Sequence, residues 1–226
     1  MTSHISGDHT SFASCSTCLG KKYSRQSRIP LAYRHTQAFL VHTLFISPVN
    51  VIAPIYVGQL QDGVIWIRVE GKGSFQNSPE LKDFAAQMIK RGTTKFVIDL
   101  ENCPVMDSTF MGTLVGIVRN QNAAGESSFE IINANARNVQ LIQSLGLDLL
   151  LTLDIDGSAW PGIRHRISGL ICNEEQLEHV DLDKQQNNEH VLEAHQQLSE
   201  ADNNNVPRFY DVIEFLKKEL QSNHPE

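Results

Sequence analysis

Residues 54–154 predict an α/β domain, a mixed β-sheet with helices packed mainly over one face, followed by a C-terminal helical extension. Three observations carry the prediction. Two apolar strands flank Gln61-Asp62-Gly63, a turn that closes a hairpin. Short apolar runs then alternate with helices of 3.6-residue spacing, the pattern of βαβ crossovers. The resulting order, β-β-α-β-α-β-α-β with right-handed crossovers, places the helices together on one side.

Each element has a local cause. Ile55 to Leu60 and Val64 to Val69 are the hairpin strands. Gly71-Lys72-Gly73-Ser74 is a loop, and it lacks the glycine spacing and Lys-Ser/Thr pair of a Walker A. Ser78-Pro79-Glu80 opens the first helix, with Ser78 as the expected N-cap and Pro79 at the first helical position. Leu81, Phe84, Ala85, Met88 and Ile89 then follow helical spacing until Gly92. Lys95 to Leu100 has the central apolar run of a buried parallel strand. The second helix runs from about Ser108 to Asn122 with a wide apolar set, Phe110, Met111, Leu114, Val115, Ile117 and Val118. Phe129 to Ile132 is the fourth strand, and Asn135 or Asn133 caps a third helix that ends at Gly146. Leu149 to Leu153 closes the sheet. Asn187 to Glu200 and Pro207 to Gln221 are two more helices, the last with Phe209, Val212, Ile213, Leu216 and Leu220 on one stripe. That stripe suits packing on the domain, self-association or binding another protein.

Charge divides the chain into three parts. Residues 1–53 carry five bases against Asp8 alone, and residues 173–226 carry 13 acids against 4 bases, while the middle is close to neutral. The expected organisation is a disordered basic tail (1–53), one domain (54–154), and an acidic linker with C-terminal helices (155–226). Phe39 to Ile46 is the one stretch of the tail that suits packing or a strand. The net charge of −7 argues against a general nucleic-acid coat. No apolar run reaches a membrane span, and no early hydrophobic region marks a signal peptide. Cys15-Ser-Thr-Cys18 has no second CxxC or His pair at zinc-finger spacing, so the expectation is unremarkable thiols, no metal site, no cofactor, and a reducing cytoplasm. The nine histidines all lie outside 54–154, and no nucleophile elbow or metal pair is present, which argues against a hydrolase or transferase.

The most informative stretch is Val97 to Leu114. A buried strand, a short turn and a helix opening on Asp107-Ser108-Thr109 place two hydroxyls and a carboxylate at a helix N-terminus. Unpaired N–H groups and the dipole suit that end to a phosphoryl group. The same residues also suit a plain helix cap.

Phe96-Val97-Ile98-Asp99-Leu100 followed by Asp107-Ser108-Thr109-Phe110-Met111-Gly112 resembles the phosphorylation-site region of STAS domains, the family of bacterial anti-sigma factor antagonists. Phe129 to Ala134 and Val139 to Leu147 resemble the family's fourth strand and following helix. The resemblance covers roughly residues 54–154. It implies a non-enzymatic binding module in a partner-switching system. An anti-sigma factor of the histidine-kinase-like ATPase type would bind the unmodified chain and then phosphorylate it, and a PP2C-type phosphatase would reset it. By this carry-over Ser108 is the acceptor, with Thr109 the alternative. Asp107 orients the hydroxyl, Asp99 braces the turn or contacts the partner, and Thr109, Phe110 and Met111 complete the partner-binding set. Phe110 stands where the family usually has glycine, so its ring either buries the acceptor or alters the face on which a kinase docks. Two alternatives remain. One is a STAS-fold scaffold that binds a partner without phosphorylation. The other is a receiver domain phosphorylated on Asp99, for which the acidic pair after the first strand and the late lysine are missing.

Overall fold

The computed structural model describes residues 52–60, 63–123, 127–162 and 172–222. The chain divides into two units, Met1–Ile46 and Ser47–Glu226. The first lies outside the described residues, and with it the basic tail, the Cys15/Cys18 pair and the Phe39–Ile46 stretch.

In the second unit, β1 (Ile55–Gln59) and β2 (Ile65–Val69) pair antiparallel, Ile55 opposite Val69 and Gln59 opposite Ile65. β3 (Lys95–Asp99), β4 (Ser128–Ile132) and β5 (Thr152–Leu153) add in parallel beyond β2. β5 is shorter than its apolar run suggested. Gly146, at φ +65°, turns the chain into a 3₁₀ segment over Leu147–Leu149 first. A sixth strand, β6 (Cys172–Gln176), pairs antiparallel with β1 and gives the sheet order β5-β4-β3-β2-β1-β6. The sequence reading placed this segment in the acidic linker, because Cys-Asn-Glu-Glu-Gln has no apolar alternation. Its reason to be a strand is non-local: it covers the open edge of β1. Arg68 on β2 reaches across β1, stacks over the Tyr56 ring at 5.1 Å and pairs with Glu174 at 2.6 Å.

Three helices follow the crossovers, α1 (Ser78–Lys90), α2 (Ser108–Ala123) and α3 (Ala136–Ser144). Two more, α4 (Lys184–Ala201) and α5 (Val206–Ser222), form the C-terminal extension. The architecture is the mixed α/β fold expected from the sequence. Alternation along the strands explains its two layers. Ile65, Ile67, Phe96, Ile98, Phe129 and Ile131 face the helices and meet Leu81, Leu114, Val115, Val118 and Ile142. Trp66, Val97 and Ile132 face the other side, where Trp160 closes over them. Its ring meets Trp66 edge-on, centroids 6.2 Å apart, and its indole N–H donates to Glu130 Oε2 at 2.8 Å.

Ser78 is not the N-cap of α1, as the sequence suggested. Asn77 holds that position, and its side chain makes no cap hydrogen bond. The Asn77 amide is committed elsewhere: it accepts from Ser74 N and donates to the carbonyls of Ala53 and Lys72. No helix among the described residues is long and apolar enough to cross a membrane.

Candidate functional site: the start of helix α2

The turn between β3 and α2 is held by backbone and amide bonds on three sides. Gly73 N donates to Val105 O at 3.1 Å and Asp107 N donates to Gly73 O at 2.9 Å. From α3, the buried Asn138 donates through Nδ2 to Cys103 O at 2.8 Å and accepts from Met106 N at 3.2 Å. Asn135 caps α3 through Asn138 N while donating to Cys103 O. Cys103 is buried within this turn, and burial pushes its thiol above its ordinary range. It is a structural thiol rather than a reactive one.

Asp107 caps α2. Its Oδ1 accepts from Phe110 N at 2.9 Å, and its Oδ2 accepts from Phe75 N at 3.1 Å, with Lys72 Nζ at 3.9 Å. Both oxygens are therefore taken up by backbone amides, and the Ser108 hydroxyl finds a different partner. Asp99 is buried, 1% exposed, and its Oδ1 accepts from Asn133 Nδ2 at 2.8 Å and from Glu101 N at 3.1 Å. It ties the ends of β3 and β4 together behind the turn.

Ser108 is half-buried at the first position of α2, whereas Thr109, Phe110 and Met111 point inward. The Thr109 carbonyl accepts from the Thr113 hydroxyl at 2.9 Å. The Phe110 ring is fully buried, so it neither lies over Ser108 nor forms part of the outer face. Room for it comes from Gly73: a Cβ there would stand 3.0 Å from the Phe110 ring and 3.2 Å from Met106 Cγ. The bulk gained at position 110 is matched by bulk withheld at 73.

What covers Ser108 is helix α4. The Ser108 Oγ lies 3.0 Å from His195 Nε2, and His195 Nδ1 lies 2.7 Å from Val191 O. A carbonyl only accepts, so Nδ1 carries a proton, and in that tautomer of the neutral ring Nε2 accepts from the serine hydroxyl. The imidazole is held from behind by the Phe209 ring of α5, centroids 5.0 Å apart. A second pair repeats the arrangement at α1, where Ser78 Oγ lies 2.7 Å from His190 Nε2. Burial, and next the charge of Lys82, lower the His190 pKa to about 4, so it is neutral at ordinary pH. Beside it on α1, burial raises the Glu80 carboxyl above its ordinary range, opposed in part by His179 at 3.7 Å.

Sequence reasoning missed both histidines, and with them the cover. Their spacing held a signal: His190, Ala194, His195 and Leu198 share one helical face and are the buried residues of α4. The stripe is weak because two of its four members are polar and one is small.

A STAS domain family model matches residues 58–157. The anti-sigma-B factor antagonist of Staphylococcus aureus (strain NCTC 8325 / PS 47) is 31% identical over 93 residues, which cover 40% of this chain and 83% of that protein. The chain belongs to the STAS domain family. The counterpart from strain COL matches with the same identity and coverage. Among solved structures, the anti-sigma factor antagonist SpoIIAA in its unphosphorylated form is similar with a TM-score of 0.41 at 16% identity, covering 51% of this chain and 97% of that one. The phosphorylated form of SpoIIAA from Bacillus has a TM-score of 0.38 at 18% identity, covering 46% and 93%. The STAS match ends before β6, α4 and α5, so the helix that covers Ser108 lies outside the region that defines the family.

Proposed function

We propose that this STAS protein is a non-enzymatic anti-sigma factor antagonist, switched between partners in the cytoplasm by phosphorylation of Ser108. The observation that carries the reading is the position of that hydroxyl. It sits at the first turn of α2, half-buried rather than in the core, beside an Asp cap and the positive end of the helix. Phosphoserine there adds about −1.5 to −2 charge where a helix tolerates it well. The same charge pressed against a docked protein brings repulsion, bulk and desolvation, so the complex releases. The domain serves as substrate and docking module and needs no catalytic residue of its own.

The partners that suit this role are an anti-sigma factor of the histidine-kinase-like ATPase type and a PP2C-type phosphatase. Asp107 and Ser108 supply the surface at the helix start. Asp99, Thr109, Phe110 and Met111 act by setting its shape from beneath, since all four are buried. The burial of Asp99 and the two hydrogen bonds it accepts, from Asn133 Nδ2 and Glu101 N, argue against an acyl-phosphate at that carboxylate. A scaffold that binds without phosphorylation is the second reading, and the hydrogen bond from Ser108 to His195 favours it. Affinity for the histidine-kinase-like ATPase of the source organism, measured for Ser108→Ala and Ser108→Asp, separates the two. Partner switching predicts that the alanine variant binds and the aspartate variant binds roughly tenfold more weakly. Equal binding by both variants favours the scaffold.

A further inference from the structure

We infer that α4, backed by α5, forms a built-in cover of the α1–α2 face, seated where a docking protein must sit, and that the cover has to lift before Ser108 is engaged. The inference rests on the proposed role of Ser108 only for its consequence; the cover itself is a matter of geometry.

The fit of α4 to that face is close. Gly112, one turn after Ser108, has no side chain where the α4 backbone crosses it, and a Cβ there would lie 2.2 Å from Ala194 O. Hydroxyls at the two helix starts, Ser108 and Ser78, meet the two histidines of α4. Ion pairs stand at the rim, Lys82 with Glu193 and Arg119 with Glu200.

The contact is also of a kind that exchanges. Of the four residues α4 buries, two are histidines and one is alanine, leaving Leu198 as the one large aliphatic anchor. Such a helix holds its place partly through imidazole hydrogen bonds and rim charges, which another protein surface can replace. Being tethered to the domain, it competes at a high local concentration.

Docking of α4 and modification of Ser108 exclude one another. A phosphoryl group on Oγ needs the space held by His195 Nε2, 3.0 Å away. Anything that approaches this hydroxyl must act on the uncovered form, and phosphoserine must in turn hold the cover off. The two equilibria are linked reciprocally. The unmodified, covered chain is then a resting form of the antagonist. A partner's apparent affinity is reduced by the fraction of time the face is covered.

The test reads access to position 108 with a small probe and no partner protein. In full-length Ser108→Cys, the rate of iodoacetamide labelling at position 108 is followed by peptide mass spectrometry, which separates it from the native cysteines. Reversing the domain side of both rim pairs, with Lys82→Glu and Arg119→Glu, is expected to speed labelling about tenfold. Adding Glu193→Lys and Glu200→Arg restores the pairs with opposite polarity and returns the slow rate, which a merely unfolded variant could not do. Labelling of Ser108→Cys at the rate of a free thiol, unchanged by the reversals, overturns the cover. No kinase enters this experiment, so fast labelling with rescue upholds the cover even where the source organism's kinase transfers no phosphate, a result that would sink only the proposed function.

Discussion

Replacing Gly112 by alanine gives a prediction whose sign depends on whether α4 lies on α2. The new Cβ would stand 2.2 Å from the Ala194 carbonyl oxygen, 2.6 Å from its carbon and 2.9 Å from its Cα. All three are backbone atoms, so no rotamer change relieves them. Ordinary contact between carbon atoms begins near 3.5 Å, which requires α4 to back away by about 1 Å. That movement lengthens the Ser108–His195 hydrogen bond from 3.0 Å beyond useful range. Overpacking of this kind costs about 1–3 kcal/mol. The opposing effect is helix propensity: alanine in place of an interior glycine favours α2 by about 1 kcal/mol. The propensity gain is shared by the covered and uncovered forms, so with the cover docked it leaves a net loss of about 0–2 kcal/mol in overall stability while docking itself loses about 1–3 kcal/mol. Hydrogen exchange across residues 184–222 should then quicken roughly 5- to 150-fold while exchange in β2 and β3 stays unchanged. With α4 elsewhere, only the propensity gain survives. Gly112→Ala would then raise the melting temperature by roughly 2–4 °C with no change in exchange, and that result would refute the packing described.

Acid should loosen the same contact. His190 has a folded pKa of about 4, below its unfolded value near 6.5. Both states are neutral above pH 6.5, so nothing is lost there. As pH falls from 6.5 to about 4, only the undocked form takes up the proton, and docking weakens by up to about 3 kcal/mol. Around this imidazole, Lys82 of α1 pushes the same way, while Asp83 of α1, Glu193 of α4 and Asp107 of the β3–α2 turn oppose it. Glu80, with its folded pKa raised, offsets part of the loss at the low end. Melting temperatures from pH 7 to pH 4.5 should flatten in His190→Gln relative to wild type, and an equal slope in both would assign the effect elsewhere. At the turn, Asn138→Ala removes a fully buried amide and strands Met106 N and one bond to Cys103 O. Chemical denaturation should show a loss of about 3 kcal/mol, and a loss under 1 kcal/mol would show that Asn138 does not hold the helix start.

The elements that were legible in the sequence are those specified locally. The hairpin at Gly63, the α1 stop before Gly92, an asparagine cap on α3 (read as Asn135 or Asn133, found as Asn135) and the Asp107-Ser108 helix start each depend on residues a few positions apart. The apolar stripe of α5 was also legible, with Leu216 buried and Phe209 packed inward. β6 was not legible, since its pairing is decided by an edge more than a hundred residues upstream in β1. The true cap of α1 was hidden because Asn77 spends its side chain on Ala53 and Lys72 carbonyls instead of on the helix. The consequence of Phe110 was read from the sequence as two alternatives, and the ring takes neither, because Gly73, 37 positions earlier, provides the space that lets it turn inward. The cover over Ser108 depends on His195, 87 residues away, and no short-range pattern announces such a meeting.

The central claim is that the hydroxyl at the head of α2 accepts a phosphate and thereby changes its partner. Intact mass of the full chain after incubation with ATP and the histidine-kinase-like ATPase of its source organism tests this most directly. The account predicts one added phosphate on wild type and none on Ser108→Ala. Phosphate on the alanine variant, or none on a chain that keeps Ser108 and whose cover has been opened by Lys82→Glu and Arg119→Glu, would contradict it.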